Sequence, residues 1–264
     1  MSTIRLRVAA AVAILGLSSG AAVAAQASSD ARHAPADAQW AERVEAARKF
    51  AAQRRGHVGF AIVDEDGALH GHNAGAHFES ASVVKVMLMV AYHRQARNRG
   101  LDDHDRNLLA PMIKHSANGP ASAIYLQVGA GALHKLARDA GMKGFSTGPT
   151  WGSSRITAEG QARFLYELER FIPKRHTDYA LRLMADIAAR QRWGIPPAVP
   201  RGWNIHFKGG WAPEAAGWKI NQVALITNGD RRLSLAVLTR GNPSAGYGHV
   251  TVKGIAERLL HGYE

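Results

Sequence analysis

Cysteine is absent from the 264-residue sequence. The protein therefore has no disulfide bond, no cysteine nucleophile, no thiolate zinc or iron–sulfur site, and no cysteine for a lipid anchor. Acidic residues are few, since 21 Asp and Glu stand against 33 Lys and Arg, a formal net charge of +12. This balance favours anionic partners such as nucleic acid, acidic cell-envelope polymers or carboxylate-bearing substrates. With 46% hydrophobic residues the chain can bury a core, which excludes a disordered protein.

The first 24 residues have the pattern of a secretory signal peptide. Arg5 and Arg7 precede an apolar run at residues 8–17, and small residues follow up to Ala24. The run is short for a permanent membrane anchor, although an uncleaved N-terminal anchor is the alternative. We therefore expect a secreted or periplasmic protein of the cell envelope with no transmembrane anchor after cleavage. Export argues against a nucleic-acid partner and leaves anionic envelope polymers as the partner that the charge favours.

The rest of the chain predicts one domain over residues 38–264, after a flexible lead-in at residues 25–37. The fold class is α/β of the α+β type: an antiparallel sheet flanked by N- and C-terminal helices, with an inserted all-helical lobe. The sheet lobe takes about residues 38–80 and 204–264, and the helical lobe about 81–203. Predicted helices lie near residues 40–51, 83–99, 105–113, 120–128, 131–140, 157–169, 179–190 and 250–260, and predicted strands at 58–63, 68–73, 204–208, 220–227 and 233–239.

Ser82-Val83-Val84-Lys85 is the first of three short motifs with reactive side chains. On a helix, residues three apart share a face, so the hydroxyl of Ser82 and the amine of Lys85 lie one turn apart. A neutral lysine amine can activate a serine hydroxyl, and a helix N-terminus offers N–H groups to a developing oxyanion. The alternative is an ordinary N-cap serine followed by an exposed lysine.

Ser116-Ala117-Asn118 and Lys208-Gly209-Gly210 are the other two motifs. The hydroxyl of Ser116 can relay a proton, and the amide of Asn118 can bind a substrate carbonyl. The two glycines let a substrate backbone approach the predicted strand, and the charge of Lys208 suits a carboxylate. Taken singly, each segment is better explained as a turn, one capping a helix and the other ending a strand.

The order of the three motifs changes this interpretation. Ser-x-x-Lys, then Ser-x-Asn, then Lys-Gly on a late strand are the ordered set of class A β-lactamases and penicillin-binding proteins. The sequence resembles this penicillin-recognising serine hydrolase family, and its class A β-lactamase branch most closely, from about residue 38 to the C-terminus. The resemblance implies a β-lactamase/transpeptidase-like fold and an enzyme that needs no cofactor and no metal.

By this resemblance Ser82 is the acylated nucleophile, Lys85 its general base and Ser116 a proton shuttle. The backbone N–H groups of Ser82 and Trp211 would form the oxyanion hole. Lys208 would steer a substrate carboxylate, and Asn118 would hold a substrate amide. The substrate-binding residues that the resemblance implies are Asn118, Lys208, Gly209, Gly210 and Trp211.

Three positions depart from the family pattern. Ala117 stands where aspartate is usual, and Gly209 replaces a Thr or Ser whose hydroxyl would bind the carboxylate. Residues 140–158, which precede and begin a predicted helix, contain no Asp or Glu. Class A enzymes carry there a glutamate that activates the deacylating water, and Glu159 inside the helix is a weak substitute. We therefore expect an acyl-enzyme formed from a β-lactam to persist.

The leading hypothesis is a secreted, monomeric serine hydrolase that forms an acyl-enzyme on Ser82 with β-lactams or related amides and esters. A D-alanyl-D-alanine carboxypeptidase or an esterase is the alternative within this class. A hypothesis from a different functional class is a catalytically inactive homologue that binds envelope polymer. A metal hydrolase built on His70, His72 and His77 is less favoured, because these residues flank a predicted hairpin without further ligands at suitable spacing.

Overall fold

The structure is a computed structural model that describes residues 38–263. The described residues from Trp40 onward form one compact unit. The predicted signal peptide and lead-in lie outside the described residues. Within the described part of the chain, we find no helix whose length and apolar content would let it span a membrane.

The order of elements is a helix, a hairpin, a helical block, three long strands and a final helix. The helices are α1 (residues 38–52), α2 (Lys85–Gln95), α3 (Asp103–Lys114), α4 (Asn118–Asp139), α5 (Ala158–Tyr166), α6 (Leu168–Phe171), α7 (Lys174–Ala185) and α8 (Ala245–Leu259). The strands are β1 (His57–Val63), β2 (Leu69–His72), β3 (His77–Glu79), β4 (Arg155–Thr157), β5 (Asn204–Glu214), β6 (Gly217–Asn228) and β7 (Arg231–Asn242). Short 3-10 turns cover Ala81–Val84, Trp151–Ser153, Ala189–Gln191 and Pro196–Ala198.

The main sheet has five strands in the order β2-β1-β7-β6-β5. All four pairings are antiparallel, with Ala236 of β7 opposite Ala61 of β1 and Val223 of β6. Residues 220–226 of β6 are buried without alternation, because elements cover both faces of the sheet. Both α5 and α8 pack against β6 and β7.

The helical lobe is built around α2, whose residues Lys85 to His93 are all buried. The helices α3 and α4 pack against it, which explains why this segment is apolar on all sides. The antiparallel sheet with an inserted helical lobe agrees with the sequence-based prediction.

Several boundaries differ from the prediction. The helix predicted at residues 83–99 starts as the 3-10 turn Ala81–Val84 and ends at Gln95. The helices predicted at 120–128 and 131–140 lie within α4 as two helical segments, which the non-helical backbone of Gly129 (φ 72°, ψ 163°) separates as predicted. The strand predicted at 204–208 continues to Glu214. The small β3–β4 sheet was not predicted, because three residues are too few to show an alternating pattern.

A histidine pair is buried between α2 and α7. The rings of His93 and His176 lie 5.1 Å apart between centroids, and the two residues are 0% and 2% exposed. Among the described residues, neither ring nitrogen of His93 has a hydrogen-bond partner. Burial, and then the neighbouring His176, lower the pKa of His93 from 6.5 to about 3, while Asp105 opposes this effect. His93 therefore stays neutral in the folded protein.

This pair predicts a loss of stability in acid. The unfolded chain protonates His93 below pH 6.5 while the folded protein does not, so acid favours unfolding until the pH falls to about 3. His93 should account for a loss of about 2 kcal/mol of unfolding free energy between pH 7 and pH 5. Urea unfolding of His93→Leu should show a pH dependence that is weaker by this amount. His104→Leu, at an exposed position of α3, is the control, and equal pH dependence in wild type and His93→Leu would contradict the prediction.

Candidate active site

Ser82 lies in the 3-10 turn Ala81–Val84, which runs directly into α2. Ser82 is partly exposed, whereas its neighbours Ala81 and Val83 are buried. Ala81 has a φ of 45°, in the left-handed region that a side chain disfavours by about 1 kcal/mol or more. The turn therefore needs support from the surrounding elements.

Hydrogen bonds from two other elements supply part of this support. The buried side chain of Asn221 on β6 donates from Nδ2 to the carbonyl oxygens of Glu79 (2.8 Å) and Ser80 (3.3 Å). The backbone N–H of Ser80 donates to the carbonyl of Ser154 at 2.8 Å. Sequence reasoning missed Asn221 and Ser154 as positioning residues. The signal for Asn221 was a polar amide in the middle of an apolar strand.

Gly210 on β5 presses against the same turn. A Cβ at residue 210 would lie 2.8 Å from the backbone nitrogens of both Ser82 and Val83. Only glycine fits such an approach, so the strand that carries Lys208 and Trp211 is held directly against the Ser82 backbone.

The hydroxyl of Ser116 lies between two lysine amines. Lys85 Nζ donates to the Ser116 carbonyl at 2.6 Å, to Asn118 Oδ1 at 2.9 Å and to Ser116 Oγ at 3.3 Å. Lys208 Nζ donates to Ser116 Oγ at 3.0 Å and to the Gly209 carbonyl at 2.7 Å. Ser116 itself has a φ of 58°, in the left-handed region. The turn between α3 and α4 thus joins the helix that follows Ser82 to strand β5.

Both amines are buried without an acidic partner. Lys85 and Lys208 are each 0% exposed, and no described carboxylate forms an ion pair with either. Burial lowers the pKa of Lys85 to about 8. Burial, and then the charge of Lys85, lower the pKa of Lys208 well below its usual value. An amine in this setting loses its proton readily and can act as a base.

The structure thus brings together Lys85, Ser116, Asn118 and Lys208, and it packs Gly210 against the Ser82 backbone. No hydrogen bond between the Ser82 hydroxyl and Lys85 is present within the described residues. The catalytic and binding roles assigned to these residues stay predictions.

The histidines considered for a metal site have other contacts. His70 Nε2 lies 2.7 Å from Asp64 Oδ2, His72 Nε2 lies 3.1 Å from Asn73 Nδ2, and His77 Nε2 lies 3.1 Å from the Gly144 carbonyl. Residues 38–263 contain no group of three or more His, Asp or Glu side chains that could hold a metal ion.

A sequence profile of the Beta-lactamase enzyme family matches residues 104–263, more than half of the chain. The chain belongs to this β-lactamase family. The matched region contains the Ser116 and Lys208 motifs and begins after Lys85. A comparison with curated protein sequences gives no significant match.

Solved structures of β-lactamases share the fold. A β-lactamase from Sphaerobacter thermophilus superposes with a TM-score of 0.73 at 22% identity, covering 84% of this chain and 96% of that one. A class A β-lactamase from Mycobacterium abscessus gives 0.72 at 19% identity, covering 84% and 99%. The structure of PBP-A gives 0.72 at 13% identity, covering 84% and 95%. The predicted class A β-lactamase fold is therefore confirmed.

In this β-lactamase family member, the loop before β4 places an indole beside the site. The Trp151 ring centroid lies 4.8 Å from Lys85 Nζ, and Trp151 Nε1 donates to Ser122 Oγ at 3.1 Å. Glu159 does not supply the missing carboxylate, because its side chain accepts from Arg163 Nε at 3.4 Å in an exposed pair on α5. Sequence reasoning missed this role of Trp151, because a single aromatic residue in a loop does not indicate which side chain it contacts.

The close approach of β5 predicts the effect of a single methyl group at Gly210. Gly210→Ala should push the Ser82 turn away, lower the unfolding free energy by about 2 kcal/mol and abolish covalent labelling of Ser82. Gly131→Ala on α4 is the matched control, because a Cβ there meets nothing within 4 Å and alanine favours a helix. Urea unfolding and intact mass spectrometry would measure both effects. Normal labelling of Gly210→Ala would contradict the prediction.

Proposed function

We propose that this protein is a secreted, monomeric serine hydrolase that forms an acyl-enzyme on Ser82 with β-lactams or related amides and esters. The observation that carries the proposal is a pair of buried amines, those of Lys85 and Lys208, which have no acidic partner among the described residues and both donate to Ser116 Oγ. Lys85 directly follows the turn that contains Ser82. Membership of the β-lactamase family supports it. The signal peptide predicted in residues 1–24 supports secretion.

In the acylation step, neutral Lys85 accepts the proton of the Ser82 hydroxyl, and Ser82 Oγ attacks the substrate carbonyl. The resulting oxyanion is held by the backbone N–H groups of Ser82, in the turn before α2, and of Trp211, on β5. Collapse of this intermediate breaks the amide or ester bond. The Ser116 hydroxyl gives its proton to the leaving nitrogen or oxygen and takes one back from the protonated Lys85. Asn118 orients a substrate amide.

Deacylation needs an activated water, and the loop before β4 offers no carboxylate for this purpose. Trp151 is the loop side chain that lies beside Lys85. We therefore propose that a β-lactam acyl-enzyme is long-lived. With an ester or peptide substrate, the leaving group diffuses away after acylation. Hydrolysis of the acyl-enzyme ester on Ser82 then depends on Lys85 as the base that activates water.

The proposal is tested by labelling with several β-lactams and activated esters. Intact mass spectrometry of wild type should show a covalent adduct, which for a β-lactam carries the whole mass of the ring-opened compound. Ser82→Ala should show none, and a circular-dichroism melt would verify that this variant folds. Equal masses for the two proteins after every reagent would overturn the proposal and favour the idle, polymer-binding homologue.

The persistence of the adduct is a separate prediction. After excess β-lactam is removed, the adduct on wild type should remain for hours, because no carboxylate activates water. Repeated mass measurements give the rate of release, and turnover of a chromogenic cephalosporin and a D-Ala-D-Ala peptide would separate the β-lactamase from the carboxypeptidase alternative. Release within seconds would show that another group activates the water.

The pKa of Lys85 predicts the pH dependence of acylation. Because the neutral amine is the active form, the acylation rate should rise about tenfold per pH unit below pH 8 and level off above it. Stopped-flow measurement of phenol release from an aryl ester would give the profile, with Lys85→Ala as the variant that loses it. A rate that is constant from pH 6 to pH 9 would exclude Lys85 as the base.

A further inference from the structure

Three aromatic side chains form a continuous surface beside the candidate site. The rings of Trp193 and His249 stack with centroids 4.1 Å apart and planes 14° apart. Trp211 meets Trp193 edge to face, with centroids 6.0 Å apart and planes 80° apart. We call Trp193, Trp211 and His249 the aromatic wall. Trp211 is 37% exposed, so the wall presents an indole to solvent.

The wall stands on the Lys208 side of Ser116. The Trp211 ring centroid lies 6.0 Å from Lys208 Nζ, and that amine donates to Ser116 Oγ at 3.0 Å. In the proposed reaction Ser116 protonates the leaving group. A group that departs from Ser82 next to Ser116 is therefore within reach of the wall.

The wall also accounts for Gly209. A Cβ at residue 209 would lie 3.0 Å from Cζ2 and 3.2 Å from Cη2 of Trp193. The ring thus occupies the space in which a threonine or serine at position 209 would extend its hydroxyl. An apolar face takes the place of a hydroxyl that would bind a carboxylate.

The charges near the wall do not favour a carboxylate. Arg192, the chain neighbour of Trp193, holds its guanidinium over the Phe207 ring at 5.2 Å and donates to the Ala185 carbonyl at 3.1 Å. Burial lowers the pKa of His249, which keeps this ring neutral. Lys208 also lies near the wall, but its buried amine already donates to Ser116 Oγ and the Gly209 carbonyl, and burial lowers its pKa well below the usual value. A carboxylate placed against the uncharged rings would therefore lose hydration and gain little from a charged partner.

We infer that the aromatic wall binds an uncharged aromatic or apolar leaving group, so that the preferred substrates are esters or amides without a carboxylate beside the scissile bond. The inference rests on the proposed acyl-enzyme function and names its substrate class. Aromatic rings bind such groups through apolar burial and edge or stacked contacts.

Two esters with the same acyl group test the inference. One is a phenyl ester and the other a 3-carboxyphenyl ester, so that they differ by one carboxylate on the leaving phenol. Single-turnover phenol release should be about tenfold faster for the phenyl ester with wild type. Trp211→Ala should slow the phenyl ester about tenfold more than it slows the carboxyphenyl ester, whereas Trp211→Phe should keep most of the rate with the phenyl ester. Leu126→Ala, at a residue that is 84% exposed on α4, is the control and should change neither rate.

A reciprocal change tests the role of Trp193. Gly209→Thr alone should slow both esters because its Cβ meets the Trp193 ring. The double variant Trp193→Ala/Gly209→Thr should regain acylation and shift the preference toward the carboxyphenyl ester by about tenfold. Thermal unfolding of each variant would separate these effects from loss of fold.

The possible results separate the inference from the proposed function. Faster acylation of wild type by the carboxyphenyl ester, or an equal loss for both esters in Trp211→Ala, overturns the inference and leaves the acyl-enzyme proposal standing. A wild type that forms no adduct with either ester or with any β-lactam overturns both.

Discussion

Two amines share one hydroxyl in a part of the fold where no described carboxylate balances their charge. Lys85 and Lys208 both donate to Ser116 Oγ, and each is fully buried. Two protonated amines in this setting would repel one another across a poorly solvated space, so burial favours the loss of at least one proton. The base of the proposed mechanism therefore follows from the packing of α2, the α3–α4 turn and β5, three elements that are distant in sequence.

This arrangement requires that the backbone around Ser82 and Ser116 be held in place, and this backbone is locally strained. Ala81, just before Ser82, and Ser116 both have positive φ values, 45° and 58°. Such conformations persist when surrounding contacts determine them. Around Ser82 the contacts are the amide of Asn221 on β6, the carbonyl of Ser154 and the backbone of Gly210 on β5. The sheet thus holds the turn that carries Ser82, while the helical lobe supplies Lys85 and Ser116, the base and the proton relay of the proposed mechanism.

Periodicity and motif order were sufficient to predict the antiparallel sheet, the inserted helical lobe and the residues that meet at Ser116. Both signals are local or rest on a family pattern. The features that the sequence did not reveal are tertiary contacts between distant segments. Nothing in the sequence around Trp151 indicates that its ring lies beside Lys85, and nothing around Trp193 indicates that it packs on Gly209. Asn221 was detectable in principle, since an amide in a buried strand needs partners.

Two of the three departures from the family pattern have a common physical consequence. The loop before β4 has Trp151 beside Lys85 in place of a carboxylate, and the strand motif has Gly209 with Trp193 packed on it in place of a hydroxyl. Each change removes a group that binds water or a carboxylate, and an indole ring lies beside each of the two amines that donate to Ser116. Burial in this cleft solvates charge poorly, which lowers the pKa of both amines and disfavours anionic ligands. In the proposed mechanism, the burial that favours a neutral base would therefore also limit the supply of activated water and direct the site toward uncharged, apolar substrates.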